Sequence, residues 1–277
     1  MIISTDAVVL RTMKYRDSSR IATLYTRSSG KMSVIAKGAR ERASRFGDPL
    51  DVLGYVAALV YYKEHRDLQL LARCDVRRPF RRLSEDMERM AAALAVVELL
   101  NAVTHDEEEN PPLFELLVGT LEAIDTAARN VASPRLFFEL HLLTALGFRP
   151  NLTTCFQCGL PLWGLPVSGL PVSGTPLPAP AGGSEGPATF TLNPAAGGVY
   201  CADCTARGMG FESVSAGTVR SLQLLQGLDD PRDAARIAMS PQIRAEVAAT
   251  LRRFLQSHVE GLRPSKSEAV FASLLQP

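Results

Sequence analysis

No apolar run in the 277 residues reaches the roughly 18 needed to cross a bilayer. The longest, residues 90–100, is short and interrupted by Glu98. The opening Met1-Ile-Ile-Ser-Thr-Asp6 carries no basic residue ahead of an apolar stretch, so it is not read as a signal peptide. Cysteine is scarce at five residues, too few for a disulfide-stapled secreted scaffold. Nucleotide motifs are missing: Gly30-Lys31 has Tyr25 where a phosphate-binding loop needs glycine, and Gly208-Met-Gly210 is followed by Ser213. Thr154 and Tyr200 stand where a zinc deaminase needs proline before its cysteine pair. The four histidines, His65, His105, His141 and His258, are scattered, and His141 sits in an apolar helical stretch that suits packing better than base chemistry. These absences favour a soluble intracellular protein with weak active-site signals, no membrane partner and no nucleotide cofactor.

Apolar residues make up 46% of the chain, enough to form a core and to exclude a wholly disordered polypeptide. The net charge of +1 conceals a division. Residues 1–82 hold 17 Lys and Arg against 8 Asp and Glu, a surplus of nine, and residues 83–277 hold 13 against 21, a deficit of eight. A basic first segment on a neutral chain points to a separate module with a polyanionic partner.

That first segment reads as all-β. Runs at residues 7–10, 20–25, 31–36, 53–62 and 68–72 are rich in β-branched and apolar residues, with turn clusters at 16–19 and 27–30. Five strands with one long link after the third, residues 37–51, fit an OB-type barrel, although an SH3-like barrel has a similar strand count. Basic residues concentrate in the connections: Arg11, Lys14, Arg16 and Arg20 in one group, Lys37, Arg40, Arg42 and Arg45 in the other, with Tyr15 and Phe46 among them. Guanidinium groups for phosphates and aromatic faces for bases are what single-strand binding requires. Phe46 taken alone suits a barrel core at least as well as a stacking platform.

The remainder reads as helical. Ser84 and the acids after it open a helix whose stripe runs through Met90, Leu94, Val97 and Leu100, and Pro111-Pro112 restarts the chain into a stripe of Phe114, Leu117, Leu121 and Ile124. A third helix spans 135–146 and ends at Gly147. Residues 215–226 and 241–259 form two more, with a shorter one at 231–239. The stripes read most simply as bundle core, with an exposed partner groove as the sharper alternative.

The cysteines carry the most specific chemistry. Cys155-Phe-Gln-Cys158 and Cys201-Ala-Asp-Cys204 are two CxxC pairs separated by 42 residues. Four thiolates make a closed tetrahedral site for one structural zinc and leave no open position for a substrate. Stretching the usual link to this length adds only about 0.75 kcal/mol of closure entropy, small against the roughly 10–16 kcal/mol a structural zinc supplies. A redox pair is the competing reading, and two pairs in tandem argue against it. Between them, Leu165-Pro-Val-Ser-Gly-Leu-Pro-Val-Ser-Gly174 repeats a five-residue unit and opens a Pro/Gly-rich spacer. Cys74, at a strand end, reads as a small buried apolar residue.

Several ordered motifs resemble the bacterial recombination-repair family RecO. They are Ala7-Val-Val-Leu-Arg-Thr12, Asp17-Ser-Ser-Arg20, Lys37-Gly-Ala-Arg40 and Ser44-Arg-Phe46. Farther along come Phe138-Glu-Leu-His-Leu-Leu-Thr-Ala-Leu-Gly147, Cys158-Gly159 and Gly197-Gly-Val-Tyr-Cys-Ala-Asp-Cys204. The chain departs from the family pattern in its long insertion. The resemblance implies a DNA-handling protein that binds single- and double-stranded DNA and anneals complementary strands. It also implies contacts with RecR and the single-strand-binding protein, indirect help in loading RecA, and a place in the bacterial cytoplasm with the nucleoid. Two other readings stay open on residues alone: a zinc-containing RNA-binding or transcription accessory protein, and a zinc enzyme. The expected architecture is α+β and multidomain. An OB-fold at 1–80 leads to a helical domain in two parts, 81–150 and 211–277, interrupted by a zinc module at 151–210 whose insertion spans 160–196.

Overall fold

The computed structural model describes residues 1–41, 46, 50–162, 189–207, 212–263 and 267. Arg42, Arg45 and the five-residue repeat lie outside them. The chain divides into two compact units, one of residues 1–126 with 264–277, the other of residues 127–263.

Five strands close the barrel of the first unit: β1 (Ile2–Tyr15), β2 (Ser19–Thr26), β3 (Gly30–Ala36), β4 (Tyr55–Tyr61) and β5 (Leu68–Arg78). Their order is β1-β2-β3-β5-β4, with β1 antiparallel to both β2 and β4 and β3 parallel to β5. That arrangement is the OB type and removes the SH3-like alternative. Alternation explains the core: Ala7, Val9, Ala22, Leu24, Met32, Val34, Val56, Ala58, Val60, Leu71 and Cys74 all point inward and are buried. Burial pushes the Cys74 thiol up to about 12, as befits an inert apolar filler. β1 and β5 run longer than their apolar runs predicted, because ladder hydrogen bonds carry polar residues past the end of the core.

The register shifts between Val9 and Arg11, so the stretch from Arg11 to Tyr15 continues after a bulge. Helices α1 (Met87–Val103) and α2 (Pro111–Thr126) belong to this same unit, so the barrel's compact body reaches well beyond residue 80. Phe114 of α2 packs its ring 6.4 Å from that of Tyr25 and 6.3 Å from that of Tyr55, on the outer side of the barrel wall. Asp86 caps α1 by accepting from the Glu88 and Arg89 amides. The buried Arg89 guanidinium donates to the carbonyls of Ile124 and Asp125 at the end of α2.

In the second unit, α3 (Ser133–Ala145), α5 (Ala216–Gln226) and α7 (Pro241–His258) pack around Phe137, Phe138, Leu142, Leu222, Leu225, Leu251 and Phe254, with the short α6 (Pro231–Ala234) beside α3. The cysteine region is built on a three-stranded sheet, β7-β6-β8, made of β6 (Thr189–Asn193), β7 (Gly198–Tyr200) and β8 (Glu212–Ser215). The β6 strand thus falls inside the stretch 160–196 assigned to the insertion.

Candidate nucleic-acid interface and metal centre

The basic residues collect at one end of the barrel because the β1–β2 turn and the start of the β3–β4 link meet there. The Arg40 amide donates to the Ser18 carbonyl at 2.9 Å, and its guanidinium to the Arg16 carbonyl at 3.1 Å. Lys14, Arg20 and Ala36 are register partners in neighbouring strands, and Ala36 points inward, so Lys14 and Arg20 stand at the barrel mouth. Arg20 pairs with Asp51 at 2.8 Å. Among the described residues Arg11, Lys14, Arg16, Lys37 and Arg40 make no ion pair. Other cations of this unit are matched: Arg27 with Glu115 at 2.6 Å, Arg77 with Asp6 at 2.7 Å, Arg78 with Glu122 at 2.5 Å. The geometry therefore leaves a group of exposed cations without ion pairs among the described residues at this end of the barrel.

Strand parity separates the candidates further. Arg11, Met13 and Tyr15 face outward with Thr23, Ile21 and Ser19, and the same outer rows continue onto Ser33 and Ile35 of β3. This open face carries an exposed Met13 and a half-buried Tyr15, whose ring lies under the Arg16 guanidinium at 5.3 Å. Phe46, expected among the DNA contacts, corrects to core. It is 1% exposed within the barrel interior, and a ring packed on both faces has none to offer a base. Tyr15 takes over as the aromatic of the basic end. The signal that marks it is the spacing Arg11, Met13, Tyr15, three side chains on one face of a strand.

The four cysteines converge. The Sγ atoms of Cys155, Cys158, Cys201 and Cys204 all lie within 4.8 Å of one another. Cys158 and Cys201 are 3.8 Å apart, which equals the edge of a tetrahedron with bonds of about 2.3 Å. Each knuckle is made locally. After Cys158, Gly159 adopts φ +71° and its amide donates to the Cys155 carbonyl at 2.9 Å. The Phe156 amide donates to Val199 at 2.8 Å and ties the first knuckle to β7. β7 ends at Tyr200 and delivers Cys201 as the cap of α4 (Ala202–Ala206), which carries Cys204 one turn later.

Burial raises the Cys155 thiol, but amides of Cys158, Cys201 and Gln157 and the Cys158 side chain outweigh it and bring it down to about 6. Burial, then the neighbouring thiols, push Cys204 up to about 12. A bound divalent cation would be held by the thiolate forms of these sulfurs. The residues present therefore fit a metal ion held by four sulfurs.

No histidine joins this group. His141 Nε2 donates to the Leu225 carbonyl at 3.1 Å and the ring stacks on Phe137 at 3.9 Å, and burial lowers its ring below the ordinary value. Among the described residues no helix is long and apolar enough to cross a membrane.

Two family models match the chain: Recombination protein O N terminal over residues 1–80, and Recombination protein O C terminal over residues 84–174 and 180–268. A protein named DNA repair protein RecO from Salinibacter ruber is 32% identical over 273 residues, covering 99% of this chain and 94% of the relative. One of the same name from Symbiobacterium thermophilum is 29% identical over 266 residues, 96% and 95% of the two chains. Another from Anaeromyxobacter dehalogenans is 34% identical over 254 residues, 91% and 89%. These matches do not favour the RNA-binding or transcription accessory alternative.

Proposed function

This chain belongs to the RecO family of DNA repair proteins, and from that premise we propose that it is a non-enzymatic mediator of recombinational repair in the bacterial cytoplasm. It binds single- and double-stranded DNA, anneals complementary strands and, with RecR, helps load RecA onto DNA coated by the single-strand-binding protein. The observation that carries this reading is the set of ion-pair-free cations, Arg11, Lys14, Arg16, Lys37 and Arg40, gathered beside an open outer face that holds Tyr15. Barrels of this type bind oligonucleotides on the face of strands two and three and at adjoining loops. Phosphates meet the cations and bases stack on the aromatic, without sequence readout. Annealing then needs only that phosphate repulsion be screened while base edges stay free, so no nucleotide is consumed. Arg42 and Arg45, in the same link, add to the cation set. The proposed division of labour gives DNA to residues 1–80, partner contacts to the helical parts at 81–150 and 211–277, and rigidity to the module at 151–210. In that module Cys155, Cys158, Cys201 and Cys204 hold one zinc, a closed structural ion.

The test is annealing of complementary oligonucleotides coated with single-strand-binding protein, without nucleotide, in the presence and absence of the full chain. Acceleration that disappears in the Arg16→Ala, Lys37→Ala, Arg40→Ala variant supports the reading. No acceleration by the wild-type chain refutes it.

A further inference from the structure

The β3 strand pairs with β5 only from Ser33 to Ile35. Ahead of that, its edge is taken by the link between α1 and α2. Lys31 and Asp106 form a parallel bridge, and the Glu107 amide donates to the Lys31 carbonyl at 2.9 Å. Gly30, at φ +61°, permits the approach: a Cβ there would lie 2.0 Å from the Glu108 carbonyl oxygen. Farther along, Glu107 Oε1 accepts from the Tyr62 hydroxyl at 3.1 Å, in the link between β4 and β5. The Lys31 ammonium donates to the Asn101 and Thr104 carbonyls and pairs with Asp106 at 3.7 Å, which offsets that one charge and leaves those of Glu107, Glu108 and Glu109. Asp106 and Glu107 are thus bonded to β3 and to the β4–β5 link, Glu108 lies against Gly30, and Glu109 follows, four consecutive exposed carboxylates.

The open outer face ends at the same line. The rows through Met13, Ile21 and Ile35 and through Arg11, Thr23 and Ser33 are uncovered, whereas the next row, Tyr25 and Lys31, lies beneath Phe114 and the acidic link. Beyond it stand Lys63 and Arg66, exposed and without an ion pair among the described residues, in the loop that barrels of this type commonly add to the strand-binding surface.

We infer that the acidic link 106–109 is an electrostatic boundary that confines a bound DNA strand to the β1–β2 and β3–β4 end of the barrel and denies it the β4–β5 link. Phosphates crossing that line would come within a Debye length, about 8–10 Å, of these like charges. A strand held by few phosphates is also a strand released readily for pairing. This inference rests on the reading that the barrel binds DNA, and adds which half it uses and what limits the footprint.

The experiment uses the full chain with Asp106→Asn, Glu107→Gln, Glu108→Gln and Glu109→Gln, since amides keep the Tyr62 contact while removing charge. Binding of fluorescent oligo-dT of increasing length is followed by anisotropy across a salt series. The variant should bind roughly tenfold tighter at low salt, as these screened repulsions are relieved. Its slope of log affinity against log salt should steepen by about 1.4, two further phosphates at about 0.7 each. Lys63→Ala with Arg66→Ala should leave the wild type unchanged and abolish the gain in the amide background. Glu108→Gln with Glu109→Gln, which touches no side-chain bond, should give part of the gain with the fold intact. An unchanged slope overturns the inference, as does an equal gain from Glu85→Gln, Glu88→Gln, Asp229→Asn and Asp233→Asn, a charge-matched control outside the 106–109 link. If wild-type binding ignores Lys37→Ala and Arg40→Ala, the barrel reading itself fails. If it responds to them and the amide variant does nothing, only the boundary fails.

Discussion

Replacing Arg16, Lys37 and Arg40 together by alanine isolates the ionic part of DNA binding, because none of the three makes an ion pair among the described residues whose loss would confuse the result. Among the described residues the side-chain contacts removed are the exposed bond of Arg40 to the Arg16 carbonyl at 3.1 Å and the Arg16 guanidinium over the Tyr15 ring at 5.3 Å. Such a bond is worth about 1 kcal/mol or less. The Arg40 amide keeps its bond to Ser18, so the two loops stay joined. Three phosphates released at about 0.7 each flatten the salt slope by about 2. Between roughly 50 and 200 mM salt the wild type should therefore lose about 20-fold more affinity than the variant. The loss should be the same for every sequence, since phosphate contacts carry no base information. Anisotropy titrations at four or five salt concentrations measure the slope, and circular dichroism with metal analysis checks the fold. As an internal comparison, Arg73→Ala with Arg77→Ala removes cations already matched by Asp75 and Asp6 at 2.6 and 2.7 Å, and should change the slope by less than one phosphate's worth. A triple variant that folds, holds its metal and keeps the wild-type slope would show that DNA does not use this end of the barrel.

Three further outcomes follow from the same geometry. Tyr15→Ala should weaken binding by about 1–3 kcal/mol with the salt slope unaltered, whereas Phe46→Ala, at a 1% exposed core position, should instead lower unfolding free energy by about 3–5 kcal/mol in a urea titration; the reverse pattern would contradict the assignment of the two rings. Cys155→Ser with Cys204→Ser should abolish stoichiometric zinc, measured by plasma emission on reduced protein, and lower the melting temperature, while DNA binding by the barrel persists. Glu246 accepts from the Ser215 amide at 2.8 Å, the Ser215 hydroxyl at 2.6 Å and the Thr218 hydroxyl at 2.7 Å, bonds that outweigh burial and hold its carboxyl below the ordinary value. A depressed folded-state value stabilises above the unfolded value of about 4.3 and is lost as pH falls through the folded one, so Glu246→Gln should cost about 1–3 kcal/mol at pH 7 and progressively less as pH falls below the ordinary carboxyl range; a gap that stays constant in acid would mean packing, not charge.

The sequence by itself determined the parts that rest on local chemistry. Alternating apolar residues with turn clusters gave five strands, Pro111 and Pro241 opened helices, Gly147 ended one at φ +87°, and two CxxC pairs announced a four-sulfur site whatever the length of chain between them. Motif order also made the RecO resemblance readable. What it left undecided depends on neighbours distant in the chain. The parallel pairing of β3 with β5, which makes the barrel an OB type, is a long-range choice that no local run encodes. Whether an aromatic in a basic segment meets a base or the core is decided by which side of the wall it falls on; Phe46 went inside, and the bulge between Val9 and Arg11 turned Tyr15 outward. The acidic run 106–109 looks in sequence like a solvated helix link, and only the tertiary structure lays it along β3, because Gly30 has no Cβ to keep it away. Likewise, 17 basic residues in 82 do not reveal which of them are free. Folding matched several with carboxylates from strands and helices far along the chain and gathered Arg11, Lys14, Arg16, Lys37 and Arg40 at one end of the barrel, and only charges without partners have counterions to release to a polyanion.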